Sequence, residues 1–183
     1  MPVPPPLDPS DVAAIPWYGS DRTLPASRFI PGLSPHPDRN PETARIARNS
    51  LAVHQPWTPE QWPTLQAYLR GIDLFNRWYF WEAHEAWERL WRAHPPQSDP
   101  ARFIQGLIGA AAALLKFRMG NTRSARTLSM AAGERFASFP GIWMGLAVDR
   151  FRTDLDRYLA SADQGARPMF GVDVPRIRLE GMI

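Results

Sequence analysis

Apolar residues recur at helical spacing through most of the chain after residue 64 and hardly at all before it. Leu65, Tyr68, Leu69, Ile72 and Phe75 mark one face of a first helix that ends near Asn76, and a second helix follows almost at once, from about Tyr79 to Arg92. Three prolines within residues 94–100 close that second helix. The run FIQGLIGAAAALLKF is apolar almost all round, so residues 102–119 are predicted to form a central helix buried on most of its surface. Gly120 and Asn121 supply a left-handed cap and the next N-cap, which starts a fourth helix near Thr122 with Ala125, Leu128, Ala132 and Phe136 facing inward. After a break at residues 138–141, Met144, Val148, Phe151, Leu155 and Tyr158 predict a fifth amphipathic helix.

Upstream, Thr58-Pro59-Glu60-Gln61 has the form of a helix start with a capping box, and Pro63 works against continuing it. Only Ile177-Arg178-Leu179 shows an alternation, a weak one, that suggests a strand. The fold class is therefore all-α, a compact five-helix bundle of antiparallel helical hairpins with an extended N-terminal arm. Fourteen of the 20 prolines lie in residues 1–63, which places a proline-rich arm at 1–56, the helical domain at 57–162 and an extended tail at 163–183. In the arm, residues 28–37 alternate large apolar side chains with prolines, the composition of an extended polyproline-like segment. Phe29, Ile30 and Leu33 at such close spacing are expected to dock on the helical domain near His84 and to bring His36 with them.

Composition narrows the chemistry. A chain of 183 residues with 44% hydrophobic content and 8 tryptophans can build one ordinary core. Zero cysteines exclude disulfides, thiolate metal sites and cysteine nucleophiles. The start of the chain lacks the basic and apolar regions of a signal peptide, and the longest apolar run, residues 106–115, is too short for a bilayer, so a cytoplasmic location is expected. The sequence pI near 9.8 comes with a formal net charge of only +3. Its arginines are scattered singly among acids, a pattern that argues against a nucleic-acid partner.

Residues 78–91 concentrate four tryptophans, three glutamates and a histidine. On a helical projection Ala83, Ala86, Trp87 and Leu90 share the inner arc, while Trp78, Glu82, Glu85 and Arg89 share the outer one. His84 and Glu88 fall at the border, four apart and flanked by Trp81 and Trp91, so an ionisable pair is held against indole. The same trace fits a structural hydrogen bond, a polar ligand pocket or a metal site. Spacing alone counts too few ligands for metal, because the zinc-protease pattern needs a second histidine where Glu88 stands, and neither a metal nor any other cofactor is expected. On the third helix Gln105 is the polar residue most in need of a partner, and it is expected to face His84 or Glu88.

Three motifs give the chain a resemblance. They are Leu74-Phe-Asn with Tyr79-Phe-Trp-Glu-Ala-His-Glu-Ala-Trp-Glu-x-x-Trp91, then residues 102–108 (RFIQGLI), then Lys116-x-Arg118-x-Gly-Asn121. Together they resemble the bacterial and archaeal family called domain of unknown function 309. The resemblance implies a small all-α bundle and maps the family's polar positions onto His84, Glu85, Glu88 and Gln105. It also implies a glycine where this chain has Trp78, and a left-handed turn there would strain a tryptophan.

Two functions are expected on these grounds. The first is an interaction or scaffold module whose partner meets exposed Trp78 and Trp81. The second is a small-molecule-binding or hydrolase-like protein in which His84 acts as acid or base, Glu88 orients it, and Glu85 and Gln105 hold a small polar ligand.

Overall fold

The structure, a computed structural model, describes residues 14–34, 56–160 and 174–182. The expected position of His36 lies outside the described residues. Among the described residues five α-helices run in chain order: α1 (Gln66–Asn76), α2 (Phe80–Arg92), α3 (Asp99–Arg118), α4 (Thr122–Phe136) and α5 (Val148–Ala160). Successive helices α1 to α4 pack on one another, and α5 closes against α4 and α3. No helix among the described residues is long and apolar enough to cross a membrane.

Local chemistry sets the helix ends. The capping box at Thr58 is present, with Gln61 Oε1 accepting the Thr58 N–H, but Pro63 confines this segment to a 3₁₀ turn, Pro59–Thr64. Helix α3 begins three residues earlier than its apolar run suggests, because Ser98 caps it and Pro100 is tolerated in the first turn. Asn121 caps α4 by accepting from Ser124 N at 3.0 Å. The fifth helix starts at Val148, not Met144. Ile142–Trp143 (β1) and Leu146–Ala147 (β2) form an antiparallel hairpin whose two-residue turn places both Met144 and Gly145 at positive φ.

The most enclosed helix is α1 rather than α3. Every residue from Ala67 to Asn76 is buried, whereas α3 keeps a partly exposed stripe. On one side α1 crosses α2 so closely that a Cβ on Gly71 would lie 2.1 Å from Trp87 Nε1. That indole is itself fixed by donating to Tyr68 O at 3.2 Å. Elsewhere α1 meets Trp62 and Met144 through Tyr68 and α5 through Phe75, and the arm and the tail cover its buried polar residues.

Residues 14–21 of the arm are tied down by α1. The Asp73 carboxylate accepts the backbone N–H groups of Tyr18 and Gly19 at 2.9 and 2.8 Å. Arg77, fully buried, donates to Ile15 O at 2.8 Å and to Asp73 O at 3.2 Å, and lies over the Trp17 ring at 3.4 Å. Arg77 Nη1 and Asp73 Oδ1 are 3.6 Å apart, both side chains without exposure. Burial pushes the Asp73 carboxyl above its ordinary range, against the pull of Tyr18, Gly19 and Arg77. The tail is held from the same helix: the Asn76 amide bonds both the N–H and the C=O of Ile177, at 2.7 and 2.8 Å. Leu179 bridges to Leu146 on β2 and donates to the Tyr18 hydroxyl at 3.2 Å, which links tail to arm.

Farther along, Phe29 and Ile30 are buried, and Leu33 stays 50% exposed. The expected extended run stops here, because Leu33 N and Ser34 N both return to Ile30 O to form a turn.

Candidate functional site

The site begins where α1 hands over to α2. Trp78 N bonds Phe75 O and Tyr79 N bonds Leu74 O, the reciprocal pair of a Schellman cap. Trp78 occupies the left-handed position of that cap with φ of 65°, where the resemblance implies glycine. A non-glycine residue there carries strain of roughly 1 to 2 kcal/mol. Burial of the indole, which is only 4% exposed, offsets it. Arg118 Nη1 reaches the Trp78 carbonyl at 3.4 Å from the end of α3.

One turn into α2, the His84 ring lies nearly parallel to Trp81, with centroids 5.6 Å apart and planes at 15°. Phe29 of the arm packs edge-on against the same indole at 4.9 Å. His84 Nε2 stands 3.8 Å from Glu88 Oε1, as the i to i+4 spacing requires. His84 Nδ1 stands 3.4 Å from Glu85 Oε1, a neighbour that the projection places on the outer arc. One donor atom from each of His84, Glu85 and Glu88 therefore falls within 4.8 Å of the others. His84 and Glu88 are each 22% exposed and Glu85 48%, so the cluster is an edge that solvent reaches. Contact with His84, helped by Arg92 and Arg89, holds the Glu85 carboxyl below its ordinary range despite partial burial. The other Glu88 oxygen, Oε2, pairs with the exposed Arg92.

The remaining residues read from sequence are placed differently. Gln105 does not face His84; its Oε1 accepts from Arg135 Nε on α4 at 2.9 Å. The side of α3 that carries it is turned toward α4, which the nearly uniform apolarity of that helix concealed. Trp91 packs against the hydrophobic core with Nε1 buried and lacking a hydrogen-bond partner among the described residues. Trp78, expected on the surface, is inside.

Glu82 was missed as a functional residue. The projection places it outward, and with α2 alone that would be correct, but the arm covers it. Phe29 N donates to Glu82 Oε1 at 2.8 Å, and Oε2 is buried without a hydrogen-bond partner among the described residues. Burial pushes this carboxyl up to about 7, against the opposing influence of the Phe29 N–H, Arg28 and Arg118. The signal available in sequence was the cluster Arg28-Phe29-Ile30, apolar enough to require a partner surface.

Residues 68–128 match the model of a family described as a domain of unknown function, number 309. Over this segment the chain is similar to the domain of unknown function 309 family. The matched segment runs from α1 into α4 and contains Trp81, His84, Glu85, Glu88 and Gln105. The arm residues that cover Trp81 and Glu82, and the tail on Asn76, lie outside the 309 domain as matched. No curated protein matches the chain.

Proposed function

We propose that this protein binds a divalent transition-metal cation through His84, Glu85 and Glu88. The observation that carries the reading is the convergence of one imidazole nitrogen and two carboxylate oxygens within 4.8 Å at a solvent-reached edge of α2. Ligand atoms around one zinc-sized ion lie about 2.0 to 2.2 Å from it. Side-chain rotations that shift these atoms by about an ångström close the set. Spacing along the sequence counted two ligands, His84 and Glu88; Glu85 is the third. A mixed nitrogen and oxygen set favours zinc, manganese, iron(II) or nickel over magnesium or calcium. Three protein ligands leave coordination positions for solvent or for a polar molecule, which fits a working site better than a closed structural one.

The neighbours suit this role. Stacking on Trp81, itself braced by Phe29, restrains the imidazole plane. Arg92 engages the Glu88 oxygen that faces away from His84, so one oxygen remains for a cation. The interaction-module reading loses its main support, because Trp78 is buried and Trp81 is partly covered from two sides.

Calorimetric titration of chelator-treated protein with zinc and with manganese tests the proposal. One ion per chain is expected to bind, and His84→Ala and Glu88→Gln should each weaken binding by more than the roughly 10- to 100-fold that loss of an outer-shell partner costs. A bound ion at a hundred times its dissociation constant should also stabilise the fold by about 2.7 kcal/mol. Equal uptake by the wild type and both variants would place the ion elsewhere, and no uptake would end the reading.

A further inference from the structure

Arm and tail cross the same end of α1 and leave between them a cavity of about 730 Å³. Its walls include Ile15, Trp17, Leu179 and Met182, with Arg176 and Arg178 on the tail side. The volume lies within the range of pockets that take small organic ligands. These walls are fixed in advance, since Arg77 holds the Ile15 carbonyl, Asp73 holds Tyr18 N, and Asn76 clamps Ile177.

The polar groups facing the cavity are unbalanced. Among the described residues that line it there are two arginines and no carboxylate. Arg176 Nε is buried and has no hydrogen-bond partner among the described residues. A buried guanidinium N–H without an acceptor is costly, and an anion is the natural acceptor. The Tyr18 hydroxyl adds a second donor, because it accepts from Leu179 N and keeps its own hydrogen to give. The Asn76 amide already bonds Ile177 through both its nitrogen and its oxygen.

We infer that this cavity binds an amphiphilic organic anion, a carboxylate head against Arg176 with an apolar body among Ile15, Leu179 and Met182. A planar carboxylate matches the fork of a guanidinium, and the apolar walls take the body that a bare inorganic anion lacks. This site shares no residue with the His84 cluster and stands or falls independently of it.

Decanoate serves as the probe, with acetate as the head alone and decanol as the body alone, titrated calorimetrically into chelator-treated full-length protein. Decanoate is expected to saturate one site, and acetate and decanol should each bind at least about ten-fold more weakly. Arg176→Gln should weaken decanoate about ten-fold or more, Arg176→Lys should retain part of the affinity, and both should melt like the wild type. His84→Ala should leave decanoate binding unchanged. The inference is overturned if decanol binds as tightly as decanoate, if Arg176→Gln binds decanoate like the wild type, or if no saturable binding occurs at millimolar concentration.

Discussion

Arg77→Ala is expected to lower unfolding free energy by about 3 to 5 kcal/mol, the cost of removing one member of a buried ion pair. Three losses coincide at this position. The Asp73 carboxylate keeps its bonds from Tyr18 and Gly19 but loses the cation with which it is sealed from solvent. The Ile15 carbonyl loses its donor, and Trp17 loses the guanidinium on which its ring lies. Urea denaturation followed by far-UV circular dichroism measures the change. Because the arm is the arginine's main partner, the variant should also become cleavable by protease between residues 14 and 21 while the helical signal persists. Asp73→Asn with Arg77→Met should recover part of the loss, since removing both charges leaves no lone buried ion. A single variant within about 1 kcal/mol of wild type would show that the pair contributes little to the fold.

Stability should also depend on Glu82 in a direction opposite to that of most carboxylates. Its folded pKa is raised from an ordinary 4.5 to about 7, so the folded chain holds a proton that the unfolded chain releases. The contribution is fully present below pH 4.5 and is lost as pH rises through about 7, by roughly 1 to 3 kcal/mol. Arg28 and Arg118 pull the other way and limit the effect. Asp73, whose pKa is also raised, adds a trend of the same sign, whereas Asp21, Glu60 and Glu85, whose pKa values are lowered, oppose it. The difference between wild type and Glu82→Gln isolates the residue. In chelator-treated protein, glutamine should leave stability nearly unchanged at about pH 5 and raise it at about pH 8. A constant difference across that range would mean that solvent reaches the Glu82 carboxylate beneath Phe29.

The helices were legible because their signals are local. Apolar residues at a 3.6 period, Asn121 at a helix start, and prolines between helices act within a few residues. His84 and Glu88 were legible for the same reason, as neighbours on a single helix turn. The features that escaped were set by partners distant in the chain. Glu82 belongs on an exposed arc until Phe29, 53 residues earlier, covers it. Gln105 has no feature that reveals whether it turns toward α2 or toward Arg135 on α4. The hairpin at residues 142–147 was absorbed into a helix because Met144 happens to fit the period of Val148 and Phe151, and the glycine beside it carried the contrary message.

The covering of α1 from both sides bears on the order in which the molecule assembles. Asn76 is completed by a residue 101 positions away, Asp73 by residues 54 and 55 positions away, and Leu179 meets Tyr18 across 161. Helical hairpins of short sequence separation close early, and contacts that must bridge long loops come late. The four central helices therefore form a core whose first helix still exposes Asp73, Asn76 and Arg77 to water, where each is solvated. The two ends then seal them together. In pulse-labelled hydrogen exchange the amides of α2 to α4 should gain protection first, and those of Tyr18, Gly19, Ile177 and Leu179 in one later, shared phase.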